Sequence, residues 1–167
     1  MEGAEEKMEV IIDTNKVLAS IISSGKVRKI VVFSPINFFA PKYLVHEIDK
    51  HKEDICKRFK LSIEDFNFIK NELIFPRINV IDEILYEDAK NDAHEIAKTF
   101  DPKDTPFIAL SLKLNIPIWT NDKKMIEYGL RTGKYLALDT RAVEDLINGK
   151  SLNEVKGDLR RRYNLMK

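Results

Sequence analysis

The first apolar run along the chain is Val10, Ile11 and Ile12, closed by Asp13. A short unbroken run of this kind suits a strand covered on both faces. The spacing then changes. Val17, Leu18, Ile21 and Ile22 recur at helical intervals, Thr14 or Asn15 can cap that helix, and Gly25 can end it. A second short helix is expected over residues 26–33 and a strand over residues 37–40. Pro41 is expected in the first turn of the next helix, which carries Leu44, Val45 and Ile48 inward. Ser62 with Asp65 three residues on resembles a capping box, and Ile63, Phe66, Ile69 and Leu73 have helical spacing. Residues 59–74 therefore read as the hinge and second arm of a helical hairpin.

The alternation continues to the end of the chain. A strand is expected over residues 78–81 and a polar helix over residues 86–100, broken by Asp101-Pro-Lys-Asp104. Thr105 and Pro106 open a strongly apolar helix through Leu114. Strands over residues 116–120 and 135–138 and helices over residues 123–130 and 141–147 follow. Strands alternating with helices predict an α/β fold: three layers, α/β/α, around a central parallel sheet with right-handed crossovers, plus the helical hairpin as an insertion. Residues 1–7 are expected to form a flexible segment, residues 8–150 the folded domain, and residues 151–167 a basic tail or helix.

Composition narrows the picture. A chain of 167 residues, 44% hydrophobic and 33% charged, suits one packed domain rather than disorder. Lys and Arg number 28 against 27 Asp and Glu, so a polyanionic partner would have to meet a local basic patch. The single cysteine, Cys56, excludes an internal disulfide and a thiolate zinc cage, and suits a reducing compartment. Residues 1–7 are polar and acidic, unlike a signal peptide, and no stretch reaches the ~20 apolar residues of a membrane span. The expectation is a cytoplasmic protein with no membrane partner.

The acids carry the chemistry. Asp13 and Asp122 each follow a predicted strand, and open parallel sheets bind ligands beyond the carboxyl ends of their strands. Asp104 stands at the entrance of the apolar helix, and Glu47 in the first or second turn of the helix after residues 37–40. These four acids are expected to meet at one edge. Clustered carboxylates repel one another, and a hard divalent cation such as Mg²⁺ relieves that repulsion. Such a site can activate water against a phosphodiester. Each acid also has a plain structural reading. Asp13 can cap the helix at Thr14, Asp104 competes with Asp101 as a cap, Asp122 suits a turn, and Glu47 suits a solvated helix face. His46, His51 and His94 do not have zinc spacing, and Cys56, Phe38, Phe39 and Trp119 read as core. Asp13-Thr-Asn-Lys-Val17 has none of the glycines of a dinucleotide-binding loop.

Four segments carry a family resemblance: Ile11-Ile-Asp-Thr-Asn15, Pro41-Lys-Tyr-Leu-Val-His-Glu47, Asp101-Pro-Lys-Asp-Thr-Pro-Phe-Ile-Ala-Leu-Ser-Leu112 and Ile118-Trp-Thr-Asn-Asp122. In this order they resemble the successive motifs of PIN-domain nucleases, over roughly residues 9–138. The resemblance implies a PIN-like fold and a ribonuclease dependent on Mg²⁺ or Mn²⁺. Asp13, Glu47, Asp104 and Asp122 would be its catalytic, metal-binding acids, with Asn15, Thr120 and Asp101 in support. It also implies an RNA substrate, a homodimer, and, for many members, a toxin paired with an antitoxin protein. The alternative is a PIN-like scaffold with weak or no catalysis, binding RNA or a protein, for example in ribosomal RNA processing. Many members have a further acid two or three residues past the fourth one, where this chain has Lys124 and Met125. Lys123 and Lys124, beside Asp122, and Arg160, Arg161 and Arg162 in the tail are the candidate RNA contacts. A solvated C-terminal helix is the plainer reading of the tail.

Overall fold

The computed structural model describes residues 8–165, so the expected flexible segment 1–7 lies outside the described residues. Strand β1 is Glu9–Ile12, with Val10, Ile11 and Ile12 fully buried. Helices α1 (Thr14–Ile22) and α2 (Lys26–Phe33) lead to β2 (Asn37–Pro41), and α3 (Tyr43–Phe59) follows. Lys60, in the left-handed conformation at φ 53°, ends α3 and turns the chain into α4 (Ile63–Phe68). Ser62 caps α4 by accepting from the Asp65 amide at 3.0 Å. A π-helical turn, Ile69–Ile74, and a 3₁₀ turn, Phe75–Arg77, complete the hairpin and deliver β3 (Ile78–Ile81).

Short helix α5 (Glu83–Tyr86), α6 (Lys90–Ala97) and α7 (Thr105–Leu114) then lead to β4 (Ile118–Trp119). Helix α8 (Lys123–Thr132), β5 (Ala137–Leu138), α9 (Thr140–Ile147) and α10 (Leu152–Arg162) finish the described chain. All strand pairs are parallel, in the order β3-β2-β1-β4-β5. This is the expected three-layer α/β/α fold. From β1 the chain moves to β2 and β3 on one side, then returns to place β4 and β5 on the other. The order therefore reverses between β1 and β4, the position where open α/β sheets form their ligand crevice. Asp13 follows β1 and Asp122 lies just past β4. Helix α7, buried from Phe107 to Ser111, packs on β1, β2 and β4 beneath that crevice.

Several boundaries differ from the sequence reading. Pro41 is the last residue of β2, paired in register with Ile81, and the helix starts two residues later. The Pro41 ring removes an amide donor, which a strand end tolerates as well as a helix start does. The polar helix expected over residues 86–100 is split by a 3₁₀ turn at Glu87–Ala89. Strands β4 and β5 are two residues each, although Ile11 N–H still donates to Pro117 and Thr120 N–H to Leu138 at their margins. The C-terminal segment is helical and packed: α10 buries Val155 and Leu159 and lies against α9. Among the described residues no helix is long and apolar enough to cross a membrane.

Candidate active site

Asp13 is built into the junction of β1 and α1. Its backbone is extended (φ −82°, ψ 166°), and its carboxylate accepts from the Lys16 amide at 2.9 Å as the N-cap. Asp122 repeats the device after β4, accepting from the amides of Lys124 at 3.0 Å and Met125 at 3.3 Å. Thr120 links the two. Its hydroxyl, fully buried, hydrogen-bonds Asp13 and accepts from the Asp122 amide at 3.0 Å. The capping reading of Asp13 is thus observed, and Asp122, expected as a turn residue, also caps its helix; both carboxylates are fixed at helix N-termini, where anions are favoured.

Glu47 arrives from α3, one turn inside the helix. Thr14, the first residue of α1, donates its hydroxyl to Glu47 Oε1 at 2.6 Å and so ties the two helices together at this edge. Asp104 differs from the other acids. It stands before α7 but makes no side-chain capping bond, and Asp101 caps the short turn ahead of it through the Lys103 amide at 3.0 Å. The Asp104 carboxylate is left facing Asp101, Asp122, Asp13 and Glu47, all of which act on its charge.

The electrostatic consequence is large. Burial, then repulsion from those four carboxylates, raises Asp104 from the ordinary 3.8 to about 7. Burial raises Asp13 to about 6, against the pull of Thr120, the Lys16 amide and the Lys16 ammonium, with Asp122 adding to the rise. The structure thus brings Asp13, Glu47, Asp104 and Asp122 into one electrostatic group, with Asp101 beside it. Asn15, the second residue of α1, is exposed next to Asp13.

The acids do not close into a cage. Among the described residues, no three of the His, Cys, Asp and Glu side chains are grouped closely enough to hold a metal ion directly. The donors are carboxylate oxygens only, carrying repulsion that a cation would relieve. Mg²⁺ takes few direct carboxylates and keeps several waters, so this donor set fits a hard divalent cation held partly through water.

Sequence reasoning missed two residues. Tyr43 begins α3 four residues before Glu47, and its phenol is pushed upward by burial and by Glu47, Asp101 and Asp104. The helical i,i+4 spacing to Glu47 was a readable signal. Lys16 is only 4% exposed; its ammonium donates to Thr140 Oγ1 at 3.0 Å and is acted on by the charges of Asp13 and Asp139. Beside Tyr43 an open groove of 760 Å³ is lined by Lys42, His46, Lys90, Lys103 and Thr105, among others.

The candidate RNA contacts separate. Lys123 and Lys124 are exposed at the start of α8, next to Asp122, with Lys123 4.0 Å from Glu127. Arg160 lines a small cleft with Gly133, Lys134 and Leu136, where β5 begins, on the sheet edge opposite the acids. Arg161 is paired with Asp158. Arg162 is committed to Asp139, donating at 2.6 Å, and Tyr163 donates to the same carboxylate at 3.2 Å.

A family model described as PIN domain matches residues 11–159, which takes in all four acids and most of α10. No curated protein matches the chain.

Proposed function

Because the chain belongs to the PIN-domain family, we propose that it is a ribonuclease that hydrolyses RNA phosphodiester bonds with Mg²⁺ or Mn²⁺. The observation that carries this reading is the placement of Asp104, which caps no helix and lies among four other carboxylates at the carboxyl edge of the sheet. An uncapped, half-buried carboxylate raised to about 7 by four carboxylate neighbours is costly in a site meant to stay empty of cations. It is apt in one meant to gain a cation.

Asp13, Glu47, Asp104 and Asp122 would hold the ion. When bound, such an ion lowers the pKa of water and neutralises charge on a phosphodiester. The chain's own residues do the rest. Thr14 fixes the Glu47 carboxylate, and Thr120 fixes Asp13 and the turn that presents Asp122. The N-termini of α1 and α8 favour an anion at this edge. Tyr43, whose phenol keeps its proton at neutral pH and hydrogen-bonds Glu47, helps to hold that carboxylate in place. Lys103 in the groove beside Tyr43, where Asp82 and Glu83 pair with Lys42 and Lys90, and the exposed Lys123 and Lys124 supply phosphate contacts that give affinity without base choice.

Purified protein incubated with single-stranded and structured RNAs is expected to cleave with Mg²⁺ or Mn²⁺ and not with chelator. Asp13→Asn keeps shape and removes charge, so it should lose cleavage while keeping its helical circular dichroism. Undiminished cleavage by that variant would contradict the assignment. The open arrangement of the acids and the Lys124-Met125 pair favour a second reading, an RNA-binding PIN scaffold without catalysis. RNA binding with no calorimetric Mn²⁺ uptake would select it.

A further inference from the structure

Helices α3, α5 and α6 and the start of α7 line the 760 Å³ groove beside Tyr43. The chain itself joins this groove to the acid edge. Lys103 and Thr105 line it and flank Asp104, and Tyr43 hydrogen-bonds Glu47. Its rim charges largely satisfy one another, Asp82 with Lys42 at 3.7 Å and Glu83 with Lys90. Among its less exposed lining residues are three rings, those of Tyr43, Tyr86 and Pro106. Such a lining suits a flat, neutral group with a polar edge.

Tyr86 is the unusual member. It is only 2% exposed, and a buried phenol ordinarily has its hydroxyl bonded. Tyr135, the other buried tyrosine, follows that rule and donates to the Met125 carbonyl at 2.6 Å. The Tyr86 hydroxyl has no such bond among the described residues; burial, then Glu83 and Asp82, push its pKa up to about 12, so it keeps its proton. Nor is it sealed in, because among the described residues Asn67 Oδ1 is the one fully enclosed side-chain polar atom without a partner. The hydroxyl is therefore reached from the groove, where it offers one donor and one acceptor site to an entering group.

We propose that this groove is a base pocket for the RNA strand, in which one nucleobase lies against the Tyr43 and Tyr86 rings and the Tyr86 hydroxyl hydrogen-bonds its edge. Tyr86 then gives the site a base preference, which lysine contacts to phosphate do not. The inference rests on the RNA reading above and adds to it a determinant of sequence choice. A tyrosine that only filled core volume would behave differently, since losing an unbonded hydroxyl would then change neither RNA affinity nor base preference.

The test is fluorescence anisotropy with short single-stranded oligoadenylate, oligocytidylate and oligouridylate, in chelator so that nothing is cleaved, for the full-length wild type and Tyr86→Phe. The wild type is expected to bind its best oligomer about fivefold or more tighter than its weakest, and Tyr86→Phe to bring the three within about twofold, as loss of one hydrogen bond to a base implies. The Tyr86→Phe melting temperature should equal or exceed that of the wild type, because no bond within the fold is lost. Equal wild-type affinities for the three oligomers overturn the proposal. So does a folded Tyr86→Phe that keeps the wild-type preference, or a fall in its melting temperature, which would give the hydroxyl a structural partner. If the wild type binds none of the three, in chelator or in Mg²⁺, the RNA reading itself fails, and this inference with it.

Discussion

Asp104 and Asp139 stand on the same edge of the sheet, and each precedes a helix, yet their surroundings treat them in opposite ways. Asp139 caps α9 through the Ala142 amide at 2.8 Å and is held by Arg162 and Tyr163. Burial raises it, but the Arg162 and backbone hydrogen bonds outweigh burial, and its carboxyl lies below the ordinary value. Asp104 caps nothing, pairs with no cation among the described residues, and faces four other carboxylates. One acid is finished by the chain and serves the fold. The other is left unfinished, and on the proposed function its partner is a cation taken from solvent. The difference marks Asp104, rather than Asp139, as the candidate functional acid without reference to any motif.

The contrast is broken most forcefully through activity. Asp104→Asn should lower metal-dependent RNA cleavage by at least ~10²-fold, as loss of groups that organise a metal site does. Retention of wild-type cleavage would put Asp104 in the same class as Asp139. Next in size is the opposite substitution. Arg162→Met leaves Asp139 part-buried without its charged partner and should cost about 1–3 kcal/mol in urea denaturation. A midpoint equal to that of the wild type would mean that the pair does not anchor α10.

The pH dependence sharpens the comparison further. Asp13 and Asp104 titrate in the fold at about 6 and about 7, above their ordinary 3.8. Their protonated forms are the ones the metal-free fold prefers. That stabilisation is complete below about pH 4 and is lost as pH rises through 6 and 7. The melting temperature of chelator-treated protein should therefore fall between pH 5 and pH 8, and Mg²⁺ should restore it most at the alkaline end. By the same sign, Asp104→Asn should raise the stability of metal-free protein at pH 8 by about 1–2 kcal/mol, after allowance for partial solvent screening. Asp139 contributes in the reverse sense, with stability present above about pH 4 and lost in more acid solution, outside this window. The smallest effect belongs to an acid with a partner but no burial. Asp88, paired with Lys113 on the surface at 2.7 Å, should tolerate Asp88→Asn with no measurable shift in melting temperature.

Much of the acid edge is legible in the sequence because it follows from strand ends. The run Val10 to Ile12 announces a buried strand, and the polar residue that closes it lies where parallel sheets gather ligands. Asp122 is found by the same logic. Glu47 and Asp104 are placed by their helices and were tied to the site by family resemblance. What stayed hidden depends on contacts across long sequence separations. Lys16 reads as one more polar residue on a helix, and only the fold shows Trp119 and Thr140 closing over it. Arg162 reads as part of a basic tail, and nothing local announces that Asp139, at a strand end, takes up its charge. Arg160 stands two positions from Arg162 in the same basic run, but it lines a cleft with Gly133, Lys134 and Leu136 instead. The split of the helix expected over residues 86–100 has no strong local mark either, since Glu87, Asp88 and Ala89 are all acceptable within a helix.

A carboxyl-detected NMR titration of Asp13 and Asp104, with and without Mg²⁺, bears most directly on the idea that this edge waits for a cation. Without metal the two midpoints should lie near 6 and 7, and with saturating Mg²⁺ both should fall to or below the ordinary range of about 3.9. Midpoints already in that range without metal, and unmoved by its addition, would contradict it.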